Sequence, residues 1–109
     1  MTLNAGYDLS TGVRAYVRDW PQVKEGKKFG CASFQCGRRL FAFCEEDAVV
    51  LTLLGTMQRE KAVRLYGATA HVRNGKERPD WCRIPCRSRL ELQALEGIIR
   101  ESYEAALFA

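Results

Sequence analysis

The chain has 109 residues, 47% of them hydrophobic and 28% charged, with 17 lysines and arginines against 13 aspartates and glutamates for a formal charge of +4. That is the size and composition of one globular domain over 1–109, which excludes a multidomain enzyme and argues against disorder or a coiled coil. The longest apolar run lies within 48–54, far short of the roughly 20 residues that cross a bilayer. Residues 1–12 lack the basic start and apolar centre of an export signal, so a cytoplasmic protein with no membrane partner is expected.

Ser10 or Thr11 is placed to cap a first helix over 10–19, because Val13, Tyr16, Val17 and Trp20 recur at i, i+3, i+4 and i+7. Pro21 ends it, since a proline pushes the residue before it out of helical geometry. From Lys28 the period shortens to two, which predicts a strand over 28–36 that Gly37 breaks. Leu40, Phe41, Ala42, Phe43 and Cys44 form a second, strongly apolar strand, and the acidic turn Glu45, Glu46, Asp47 leads to a third over 49–54. Three short strands joined by tight turns make an antiparallel meander.

Gly55 and Thr56 open a second helix over 57–66, with Ala62, Leu65 and Tyr66 toward the core and Gly67 as a left-handed stop. Strands over 68–72 and 81–84 flank a loop over 73–78 whose Asn74-Gly75 pair suits positive backbone angles, although the loop exceeds two residues. Pro85 ends the later strand or confines it to an edge. Ser88 and Glu91 then form the pattern Ser-x-x-Glu, in which hydroxyl and carboxylate satisfy exposed amides at a helix start. Leu92, Leu95, Ile99, Tyr103 and Ala106 continue as the apolar stripe of a closing helix of about five turns. The order α-β-β-β-α-β-β-α predicts an α+β fold, an antiparallel sheet of about five strands with helices packed on one face.

The segments Trp20-Pro21-Gln22-Val23, Phe29-Gly30, Ser33-Phe34, Gly37-Arg38 and Leu40-Phe41-Ala42 resemble the MmcQ/YjbR family. Its members read Leu-Pro-Gly-Val, Phe-Gly-x-Pro-x-Phe and Gly-Lys-x-Phe-Ala at these places. Trp81 at the opening of a late strand and Ser102-Tyr103 in the closing helix fit the same pattern, so the likeness spans about 13–106. Gln22 in place of the glycine, Ser33 near a common proline or alanine, and Arg38-Arg39 in place of glycine-lysine mark a divergent member. The resemblance implies a small α+β fold with two projecting hairpins, a double wing proposed to contact DNA. It implies no reaction and brings no catalytic residues, so a non-enzymatic binding domain is expected.

Positive charge gathers in two segments: 24–39 carries five basic side chains and one acid, and 67–89 carries six and two, while 40–66 and 90–109 are acidic in balance. Phosphate recognition draws on clustered lysine and arginine, because each neutralised phosphate releases counterions and arginine adds a planar two-pronged grip. Arg38, Arg39, Arg73, Lys76, Arg78, Arg83, Arg87 and Arg89 are therefore the candidate nucleic-acid contacts, with non-specific DNA as the expected partner. Trp81 is the ring placed to stack on a base. The same charges also suit solvated loops and strand edges guarded against aggregation.

Five cysteines, an odd number without an export signal, are expected as thiols. The spacings Cys31-x4-Cys36 and Cys82-x3-Cys86 are not those of a zinc knuckle, so these residues with Cys44 and His71 predict no metal site, and buried cysteine packs as a small hydrophobe. Cys82 or Cys86, among Arg83, Arg87 and Arg89 and close to the Ser88 helix start, has a setting that could lower a thiol pKa. This supports an alternative, a thiol-dependent or small-ligand protein. His71 is the sole histidine, and nothing in the sequence places a nucleophile or orienting carboxylate beside it. Glu45, Glu46 and Asp47 read as a solvated turn, and Gly26, Gly30 and Gly37 match no phosphate-cradling loop, so no cofactor is indicated. A further alternative is a protein-interaction module, a homodimer paired through a Trp81 edge strand or through Leu107-Phe108.

Overall fold

Asp8 caps the first helix, α1 (Leu9–Val17): its carboxylate accepts from the Thr11 amide at 3.3 Å and from the Thr11 hydroxyl at 2.8 Å. The cap thus lies two or three residues before the expected Ser10 or Thr11, because a carboxylate at the positive helix end satisfies its free amides as well as a hydroxyl does. The computed structural model describes residues 7–109, so half of the 1–12 segment on which the expectation of no export signal rests lies outside the described residues. After α1 come β1 (Val23–Lys28), β2 (Cys31–Cys36), β3 (Arg39–Cys44), β4 (Ala48–Leu51), α2 (Thr56–Tyr66), β5 (Thr69–Arg73), β6 (Lys76–Pro85) and α3 (Arg89–Leu107).

The fold is α+β, and its antiparallel sheet has six strands in the order β1-β2-β3-β4-β6-β5. The sheet has one strand beyond the expected count of about five, because the alternation over 28–36 is split at a turn, where Phe29 and Gly30 both have positive φ, 55° and 77°. β1, Val-Lys-Glu-Gly-Lys-Lys, is a lysine-rich edge strand with no apolar face to reveal it in sequence. A second correction concerns the later hairpin. Its ladder continues to Arg73↔Lys76 and closes on Asn74 (φ 53°) and Gly75 (φ 76°), a two-residue turn whose left-handed angles match strand twist. Consequently β6 starts five residues earlier than expected and is flanked by β4 and β5; the sheet edges are β1 and β5, not the Trp81 strand.

The helices lie on one face. Leu92, Leu95, Ile98, Ile99, Tyr103 and Ala106 of α3 join Leu9, Val13 and Val17 of α1 over the inward side chains of the sheet, among them Phe34, Phe41, Ala42, Leu51 and Ile84. Each such buried Leu, Ile or Val contributes about 1.5–3 kcal/mol relative to exposure. α3 begins as its sequence pattern requires, with the Ser88 hydroxyl accepting from the Glu91 amide at 3.1 Å and the Glu91 carboxylate accepting from the Arg87 amide at 2.6 Å. Ser102, fully buried, donates to the Phe41 carbonyl at 2.7 Å and accepts from the Leu53 amide at 3.2 Å, and the Tyr103 hydroxyl donates to the Pro21 carbonyl at 2.8 Å. These bonds lock α3 to the sheet and to the turn between α1 and β1. α2 is less embedded: only Ala62 is buried, and Leu65, expected toward the core, is exposed. No helix of the described residues is long and apolar enough to cross a membrane.

On the helix-free face, Phe43, Val50 and Trp81 form a second, smaller cluster with Cys31 and Leu40 at its margin. Two irregularities bend the sheet around it. The β2–β3 register shifts between Phe34 and Gln35, and the β5–β6 register jumps from Ala70↔Cys82 to His71↔Arg78, leaving Pro79, Asp80 and Trp81 without partners in β5. Bulges of this kind sharpen local twist and re-aim side chains, and the one in β6 accommodates a proline that could not donate to a ladder.

Candidate nucleic-acid interface

β2 and β5 are four strand spacings apart in the sheet order, about 19 Å if the sheet were flat. Yet the Phe29 ring, at the turn entering β2, lies 6.1 Å from the His71 ring of β5, nearly parallel to it. The curl of the sheet and the folded-over outer half of the β5–β6 hairpin bring both hairpin tips together above the helix-free face. Phe43 forms the floor, its ring 5.3 Å from His71, 5.7 Å from Trp81 and 5.8 Å from Phe29, mostly in edge-to-face packing.

Cations ring these aromatics. The Arg73 guanidinium sits 3.9 Å over Phe29 and that of Arg78 4.1 Å over Trp81, while the Lys28 ammonium lies 5.0 Å from Phe29 and 5.8 Å from Trp81. Such contacts hold the charged heads in place without neutralising them. Between the tips is an open cavity of about 270 Å³ lined by Phe29, His71, Arg73, Lys76, Arg78 and Trp81. Among the described residues Lys28, Arg73 and Lys76 form no salt bridge, and Arg78 has only an exposed one with Asp80 at 3.6 Å.

His71 is 2% exposed, and neither ring nitrogen has a hydrogen-bond partner. Its closest carboxylate is Glu45, 3.5 Å from Nδ1, which is held by Arg83 at 2.7 Å. Burial among rings pushes the His71 pKa below its ordinary value; Glu45 works against this, and Arg83, Arg78 and Arg73 reinforce it. The imidazole is therefore neutral at pH 7, with one donor and one acceptor free.

The eight expected contacts do not form one patch. Arg73, Lys76 and Arg78 surround the cavity. Arg38 and Arg39 occupy the β2–β3 turn and the start of β3, and the pairings Lys28↔Cys31 and Cys36↔Arg39 put the whole length of β2, about 17 Å, between them and the Phe29 turn. Arg83 is engaged by Glu45 and by Asp47 at 2.9 Å, and Arg87 approaches Asp47 at 3.6 Å, so the acidic turn is an ion-pair anchor and not only a solvated tip. Arg89 lines a separate cleft with Tyr7, Thr11 and Tyr16. Trp81 is 9% exposed, and its face is covered by Arg78. Phe29 and Lys28 were absent from the sequence-derived contacts; a phenylalanine in a lysine-flanked turn is the signal that could have found them.

No family model, curated protein or solved structure matches this chain. Cys82 and Cys86 are buried, and burial raises both thiol pKa values, the direction opposite to that of a reactive thiolate. Cys44 is pushed up to about 12 for the same reason. Among the described residues no three histidine, cysteine or acidic side chains come together as a metal would require.

Proposed function

We propose that this protein is a non-enzymatic, MmcQ/YjbR-like domain that binds nucleic acid, DNA in the first instance, through the tips of its β1–β2 and β5–β6 hairpins. The supporting observation is the convergence of Lys28, Arg73, Lys76 and Arg78, from two hairpins at opposite ends of the sheet order, on one aromatic-lined surface. Four cations that each neutralise a phosphate give a salt slope of about −3.6, so affinity for duplex DNA falls roughly a hundredfold between about 50 and 200 mM salt. The test is a titration at those two concentrations. Reversing Arg73, Lys76 and Arg78 to glutamate abolishes binding, whereas Arg38→Glu with Arg39→Glu leaves it within a few-fold. Absence of binding at the lower salt, or equal damage from the two sets of reversals, refutes the proposal.

A second reading, self-association, draws on α2, where Met57, Val63 and Leu65 are exposed. Sedimentation velocity separates the two: a concentration-dependent dimer indifferent to DNA supports self-association, and a salt-sensitive shift with DNA supports the first. The buried thiols count against chemistry at Cys82 or Cys86.

A further inference from the structure

A buried polar side chain that bonds to nothing costs free energy, and each one in a folded protein calls for a reason, a bound partner among them. His71 leaves two buried ring nitrogens unpaired. It also lines the cavity between the hairpin tips, along with Phe29 and Trp81. Phe29 holds a left-handed backbone angle, φ 55°, that bulky residues rarely adopt. A glycine or asparagine would make that turn more easily; phenylalanine there presents a ring, 40% exposed, at the cavity mouth.

We infer that the cavity between the two hairpin tips receives one unpaired nucleobase, stacked on Phe29 and hydrogen-bonded by His71, with its adjoining phosphate held by Arg73 and Lys76. The volume, about 270 Å³, lies just below the roughly 300–1,000 Å³ of pockets for drug-sized ligands, so it admits a single planar ring system and little more. A neutral imidazole offers one donor and one acceptor on diverging sides of its ring, so one ring nitrogen bonds the edge of the base. Arg73, now over the Phe29 ring at 3.9 Å, can turn to a phosphate when a base takes its place, because guanidinium and nucleobase use the same aromatic face. The carboxylate beside His71, Glu45, is paired with Arg83, and Asp80, next to the cavity-lining Trp81, is paired with Arg78, so neither acts on the phosphate as a bare charge. The chemistry, a base and a neighbouring phosphate, is shared by a single strand and a free nucleoside monophosphate. For its charge the inference rests on the nucleic-acid proposal above; for its base it rests on His71 and Phe29.

The experiment compares four probes by fluorescence anisotropy or competition at about 50 mM salt: a single-stranded oligonucleotide, a chain of equal length whose sugars lack bases, a blunt duplex, and a nucleoside monophosphate. The base-bearing strand binds about tenfold more tightly than the abasic chain, the low end of what stacking one base contributes. The variant His71→Leu removes both unpaired nitrogens at similar volume. It abolishes that tenfold preference while the protein melts no lower than the wild type, an outcome that loss of folding would not produce. Phe29→Asn, on an exposed turn, removes the preference by a second route. A His71-dependent response to the monophosphate alone upholds the base cavity, assigns it to the free nucleotide, and refutes the nucleic-acid proposal. Equal binding of abasic and base-bearing chains, or a preference unchanged in both variants, overturns the base cavity while leaving phosphate binding intact.

Discussion

His71 is the only histidine in the chain, so its imidazole gives a single set of resonances whose pH titration can be followed without assignment. Burial holds its pKa below the ordinary 6.5. The linkage has a definite sign: above 6.5 the ring is neutral in both folded and unfolded chains, and the native state keeps its full stability. As pH falls below 6.5 the unfolded chain takes up a proton that the native chain refuses until its own, lower pKa is reached, so stability is lost across that interval. With at most one proton of difference, the slope cannot exceed about 1.4 kcal/mol per pH unit, or about 6 °C in Tm for a domain of this size. Glu25 and Asp8 are held below the ordinary carboxylate range, Glu25 chiefly by its hydrogen bond from Arg14 and Asp8 by those from Thr11, so they titrate at lower pH. Calorimetry from pH 7 to 5 in parallel with the NMR titration should show the wild type losing Tm and His71→Leu losing less. Two further variants fix the cause. Arg83→Met should move the His71 midpoint up, since that cation disfavours a second charge, and Glu45→Gln should move it down. A midpoint at or above 6.5, or shifts of the opposite sign, would refute the account of a ring stranded among aromatics.

Ser102→Ala removes the hydroxyl that bridges the Phe41 carbonyl and the Leu53 amide. Phe41 keeps the Thr52 amide at 3.2 Å, whereas Leu53 loses its donor's acceptor, so a loss of about 2 kcal/mol in urea unfolding at unchanged m is expected. A loss under about 0.5 kcal/mol would show that water replaces the serine. Phe29→Asn relieves the left-handed strain and leaves Tm within about 5 °C of wild type; a larger drop would make Phe29 a core residue rather than a presented ring. Native thiol alkylation should modify Cys31 first and Cys44, Cys82 and Cys86 only at the rate of unfolding. Rapid labelling of Cys82 or Cys86 would revive thiol chemistry.

Periodicity in the sequence was enough for α3 and β3, because both bury an apolar face against one continuous core and each carries local punctuation, Ser88 and Glu91 at the helix start and Gly37 before the strand. It was not enough for β1, whose residues face solvent and so carry no hydrophobic alternation. Nor did it reveal the two-residue turn at Asn74-Gly75, because the β6 residues from Lys76 to Asp80 are exposed and polar although their backbone is paired or bulged.

The candidate site divides along the same line. Local charge density and the presence of one histidine and one late tryptophan are properties of the chain as written, since composition needs no folding to exist. Which cations stay available is a matter of distance: Arg83 and Arg87 meet the acidic turn from 36 to 40 positions away in the chain, and Arg38 and Arg39 are held at the far end of β2. Phe29, His71 and Trp81 meet only because two register shifts curl the sheet over its helix-free face. Bending of that kind arises from pairing between strands far apart in sequence, so only the tertiary structure could place an unpaired imidazole among aromatic rings and cations.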